Sequence, residues 1–98
     1  MRFENIQKLC EEIGIMLAPF REGSTFVGLA INDNGLMSIG YNPALEDTER
    51  LYVIAHEIGH HVLKHLTERE MDSKSREIEA DIFASVFTAL SLYTKAAA

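Results

Sequence analysis

The stretch Arg50-Leu51-Tyr52-Val53-Ile54-Ala55-His56-Glu57-Ile58-Gly59-His60 constrains this 98-residue chain more than any other. Leu51, Ile54, Ala55, Ile58, Val62 and Leu66 recur at three- and four-residue spacing, the signature of a helix with one buried stripe. His56, Glu57 and His60 lie inside this helix, so its register also sets where two imidazoles and a carboxylate stand. The helix is expected from about Leu45 to Leu66. Asn42-Pro43 punctuates the chain before it, and Glu46, Asp47 and Glu49 suit the positive end of its dipole.

The remaining elements follow from the same reasoning. Phe3, Ile6, Leu9, Cys10 and Ile13 alternate with Glu4, Lys8, Glu11 and Glu12 as an amphipathic first helix, which Gly14 ends. The apolar Ile15 to Leu17 reaches Pro19 too soon for another helix and reads as a short strand. Thr25 to Ile31 and Leu36 to Tyr41 form a hairpin across Asn32-Asp33-Asn34-Gly35, residues that tolerate positive φ. Asp72, Ser73 and Ser75 are candidate N-caps of a third helix, in which Ile78, Ile82, Val86 and Leu90 repeat every four residues as far as about Tyr93. The expected fold is α+β: a single domain over residues 1–98, with three helices and a small, mainly antiparallel three-stranded sheet.

Composition excludes several function classes. A net charge of -6 with no dense Lys/Arg cluster argues against direct nucleic-acid binding, which basic side chains drive. No apolar run approaches the roughly 18 residues needed to cross a bilayer. Cys10 is the single cysteine and precludes an intramolecular disulfide, and the start Met1-Arg2-Phe3-Glu4-Asn5 lacks the apolar core of a signal peptide, so a cytoplasmic location is expected.

The chemistry lies in His56-Glu57-Ile58-Gly59-His60. Imidazoles four residues apart on a helix stand one above the other and can meet one ion. Glu57, about a quarter-turn further round, can take a proton from a water in an open coordination position and pass it to a leaving amine. Zinc suits this set, being redox-inert and content with nitrogen and oxygen ligands in tetrahedral geometry. Glu77, in the first turns of the last helix, is the expected third ligand, with Glu79 as the alternative. Asp81, four residues beyond Glu77, can accept a hydrogen bond from the free ring nitrogen of His56 or His60 and so orient it. Glu79 points away from that face and is expected in solvent. His61 and His65 form a second four-residue pair, for which solvent or helix-end roles are expected over a second metal. Tyr52, one turn before His56, is assigned to packing, Cys10 to the core, and Gly59 to the close approach of a strand or substrate.

With these residues and Glu77-Ile78-Glu79-Ala80-Asp81-Ile82-Phe83-Ala84 in view, the chain resembles the ImmA/IrrE-type metallopeptidases of bacteria and their mobile elements. Ile39, Asn42 and Pro43 fit that family's turn before the zinc helix, while Glu77, Ala80, Asp81, Phe83 and Ala84 fit its last motif. The resemblance implies a zincin-like minidomain in which His56, His60 and Glu77 hold zinc and Glu57 is the base. It further implies site-specific cleavage of a helix-turn-helix transcriptional repressor of a prophage, mobile element or stress regulon. The chain departs from longer members by stopping soon after the third helix, so a C-terminal substrate-recognition or sensing part is not expected in it. The rival expectation is a zinc-stabilised binding module that sequesters a regulator without cutting it.

Overall fold

The computed structural model describes residues 2–68 and 70–97, with backbone alone for 91–97. Its elements are α1 (Phe3–Ile13), β1 (Ile15–Pro19), β2 (Gly28–Asp33), β3 (Leu36–Tyr41), α2 (Asp47–Val62) and α3 (Ser73–Ala97). The α+β class with three helices and three strands is as expected. The sheet is mixed, with order β1-β3-β2: β3 pairs antiparallel with β2 and parallel with β1. The hairpin turns on Asn34 and Gly35, both at positive φ, which is the two-residue form matched to strand twist.

Ile39 on the central strand, paired with Leu17 on one side and Ala30 on the other, is buried with Ile15 and Tyr41. Against them pack Ile6 and Cys10 of α1 and Ile54 and Ile58 of α2, completing one core. Burial pushes the Cys10 thiol up to about 11, as befits a small core residue.

Two helix ends differ from the sequence-based expectation. α2 stops at Val62, before Leu66, because Lys64 adopts left-handed backbone at φ 61°. The Lys64 N–H then bonds His61 O at 3.1 Å, and the His65 N–H bonds His60 O at 2.9 Å, the paired closure of a Schellman turn. Glycine ordinarily holds the left-handed place, and its absence hides the stop. α3 continues past Tyr93 to Ala97, through an alanine-rich stretch of high helix propensity. Asp72 is its N-cap, accepting the Ser75 N–H at 2.7 Å, a bond that holds the Asp72 carboxyl below the usual carboxylate range.

α3 turns its small face inwards. Ala80 and Ala84 are fully buried, whereas Ile78, Ile82 and Val86 are half exposed or more. Gly59 of α2 meets Phe83 on the same helix: a Cβ built there would lie 3.1–3.2 Å from atoms of Phe83. The close approach inferred for Gly59 is thus to a helix rather than to a strand or a substrate.

Ile54→Ala should therefore cost about 2–5 kcal/mol in urea denaturation, whereas Ile82→Ala should change stability by no more than about 0.5 kcal/mol despite its place in the four-residue repeat. Lys64→Gly should stabilise the chain by about 0.5–1 kcal/mol, since glycine relieves the left-handed strain and gives back part of that gain in the unfolded state.

Candidate metal centre

The middle of α2 has no solvent face, because Ile54, Ala55, Glu57, Ile58, Gly59, His60 and His61 are all buried between the sheet and α3. Polar side chains in such a place must find partners inside the protein. The i, i+4 spacing brings His56 Nε2 within 3.1 Å of His60 Nε2. The Glu77 carboxylate reaches both from the first turns of α3, with Oε2 3.0 Å from His56 Nε2 and Oε1 3.0 Å from His60 Nε2. On the far side of the His56 ring, Asp81 Oδ1 lies 2.8 Å from Nδ1, which fixes the proton on that nitrogen. Tyr52, assigned to packing from the sequence, also reaches this carboxylate, with its hydroxyl 3.4 Å from Asp81 Oδ1.

Glu57 stands beside the imidazoles beneath the sheet. A Cβ on Gly28 would come within 2.5 Å of Val53 and 3.4 Å of Glu57, so only glycine lets the start of β2 pass over this carboxylate. Burial pushes the Glu57 carboxyl up to about 7; His56 opposes the rise and Glu77 adds to it. Burial also holds His60 below the ordinary histidine value, with Glu77 opposing.

The other two histidines do not form the pair that their spacing suggests. His61 is buried and donates from Nε2 to Ser38 O at 2.9 Å, tying α2 to β3. His65, beyond the helix end, is also buried: its Nδ1 lies 2.9 Å from His60 Nδ1 and its Nε2 2.8 Å from Glu79 Oε1. Glu79 is accordingly half-buried against His65 rather than in solvent, and it stands away from the point where the Nε2 atoms converge. The sequence reading missed the His65–Glu79 contact because it continued α2 through Lys64.

Two clefts flank Glu57 and Glu77 along β2. One, of about 390 Å³, runs past Leu29, Ala30, His60 and Arg76. Its neighbour, of about 410 Å³, runs past Val27, Tyr52, Val53 and His56.

His56, Glu57 and His60 have potential ligand atoms within 4.8 Å of one another and could hold a metal ion. Two imidazoles aimed at one point, with a carboxylate 3.0 Å from each, are a donor set suited to a divalent cation. Fold and site together define a small α+β domain built around an H-E-x-x-H helix and open to solvent along a sheet edge. The chain belongs to the peptidase family of IrrE N-terminal-like domains: residues 10–88 match Peptidase_M78, from α1 into α3. No curated protein and no solved structure matches it. The family is one of metal-dependent peptidases, and the matched segment spans every residue of the cluster. Among the described residues, no helix is long and apolar enough to cross a membrane.

The Glu57 carboxyl binds its proton more tightly in the folded chain than in the unfolded one, so unfolding releases a proton between about pH 4.5 and 7. Chelator-treated protein should therefore lose up to roughly 3 kcal/mol of stability as pH rises through that window. Glu57→Gln should remove this slope, as read from urea midpoints of the two proteins at matched pH.

Proposed function

We propose that this chain is a zinc-dependent endopeptidase in which His56, His60 and Glu77 hold the metal and Glu57 is the general base. The observation that carries this reading is the convergence of His56 Nε2, His60 Nε2 and both Glu77 oxygens within 3.0–3.1 Å, beside a buried carboxyl held near neutrality. Glu77 is preferred to Glu57 as the third ligand because it touches both Nε2 atoms from a separate helix, leaving Glu57 for proton transfer. Asp81, hydrogen-bonded to His56 Nδ1, keeps that ring's Nε2 lone pair directed at the ion.

Bound there, zinc would supply a Lewis acid for the scissile carbonyl and lower the pKa of a coordinated water. Glu57 removes a proton from the attacking water and delivers it to the leaving amide nitrogen. A carboxyl poised near pH 7 suits both halves of that transfer. β2 has β3 on one side and, among the described residues, no strand on the other. An extended substrate adds to this edge by backbone hydrogen bonds, which sets its carbonyl along the clefts beside Glu57. Leu29 and Ile31, half exposed on the same strand, offer apolar contact to its side chains.

The substrate we propose is a helix-turn-helix transcriptional repressor of a phage, mobile element or stress regulon, cleaved in the cytoplasm. Family membership supports the peptidase chemistry, and the resemblance to ImmA/IrrE-type enzymes supports the kind of substrate.

Co-expression with candidate helix-turn-helix repressors, any encoded by neighbouring genes first, followed by mass spectrometry of both proteins, tests the reading. The wild-type chain should carry one zinc and produce a discrete repressor fragment. Glu57→Gln should retain zinc while cleavage falls by about 10²–10⁴, and Glu77→Ala should lose the metal. Cleavage undiminished in Glu57→Gln would sink the mechanism. Zinc bound with no fragment in any pairing would favour the sequestering module.

A further inference from the structure

The Schellman turn that ends α2 does more than stop a helix. In this closure, the side chain after the left-handed residue packs against the side chain five positions earlier, a contact that is usually apolar. Here those two residues are His65 and His60, with Nδ1 atoms 2.9 Å apart. The outer nitrogen of His65 continues to Glu79 Oε1 at 2.8 Å, and the His65 side chain is only 4% exposed.

Proton accounting along this line has one solution once His60 is a ligand. Its Nε2, facing His56 Nε2 and Glu77, must present a lone pair, so its proton sits on Nδ1. Two ring nitrogens 2.9 Å apart form a hydrogen bond only if one is bare, so His65 Nδ1 accepts. The His65 proton is then on Nε2 and is donated to Glu79. Every polar atom of both rings has a defined role, and the series ends on a carboxylate that is half-buried and held by α3.

We propose that His65 and Glu79 are positioning residues for the metal, a two-step relay that fixes the tautomer and ring angle of His60 as Asp81 does directly for His56. This rests on the proposed ligand role of His60. The two supports are unequal by construction: His56 donates straight to a carboxylate, whereas His60 reaches one only through a neutral imidazole.

Zinc affinity of the full chain, measured by competition with a chromophoric chelator and accompanied by a thermal melt, tests this. His65→Leu leaves the His60 Nδ1–H buried without an acceptor and should weaken zinc binding about 10- to 100-fold. His65→Asn places its Oδ1 where Nδ1 stood and should bind within about threefold of wild type, a rescue that packing alone would not give. Glu79→Leu, at a partly exposed position on α3, should weaken binding at least about threefold even if His65→Leu fails to fold. In the zinc-loaded wild type, nitrogen-15 spectra should show His60 protonated at Nδ1 and His65 at Nε2.

A folded His65→Leu that binds zinc as wild type does, an Asn variant as weak as the Leu variant, an unaffected Glu79→Leu, or His60 ligating through Nδ1 would each overturn the relay while leaving the metal reading intact. A wild-type chain that binds no zinc would overturn both.

Discussion

A side chain at position 59 larger than hydrogen would press on Phe83, and side chains larger than methyl at 80 and 84 would hold α3 off α2. The site depends on that contact. A carboxylate on α3 meets the imidazoles only if the helix backbones lie close, because Glu77 must bring one oxygen to each of two Nε2 atoms. Four-residue spacing then does the same work on both helices: His56 and His60 on α2 face Glu77 and Asp81 on α3. Gly59 weakens α2 intrinsically by about 1 kcal/mol relative to alanine. What offsets this is the packing of the two helices, which a glycine in an exposed helix would not obtain.

Burying the centre of α2 also sets the electrostatics. His60, Glu57 and His61 have little access to water, so the stability of the folded chain depends on how completely they are satisfied. Three carboxylates, Glu77, Glu79 and Asp81, come from one helix and meet His56, His60 and His65 from the other side. Glu57 is the exception: it comes from α2 rather than from that row and lies under β2, with burial rather than a partner as the main influence on its proton. That separation distinguishes a carboxyl suited to moving a proton from carboxylates suited to holding rings and charge.

Elements governed by local periodicity were legible from the sequence. Phe3–Ile13, the hairpin and the start of α2 are set by hydrophobic spacing and turn residues within a few positions of one another, and His56, Glu57, His60 and Glu77 stand out by type and spacing. The parallel pairing of β1 was not legible, because nothing local in Ile15–Pro19 says which neighbour it joins or in which direction. The inward face of α3 was not legible either. Periodicity marks Ile78, Ile82 and Val86, yet close packing against α2 selects Ala80 and Ala84, so helix-to-helix distance overrides residue hydrophobicity.

His65 shows the same limit at a single residue. Read as part of a continuous helix, it pairs with His61 and points away from the site; one left-handed residue at Lys64 breaks that register and folds it back on His60. Lysine in this conformation costs about 1–2 kcal/mol, and neither turn chemistry nor packing calls for a lysine there. Strain of this kind persists where the surrounding structure over-determines it. The two Schellman hydrogen bonds and the His60–His65–Glu79 contacts together supply that determination. The end of α2 is therefore part of the site's construction: without its left-handed turn, a second imidazole would not stand behind the first.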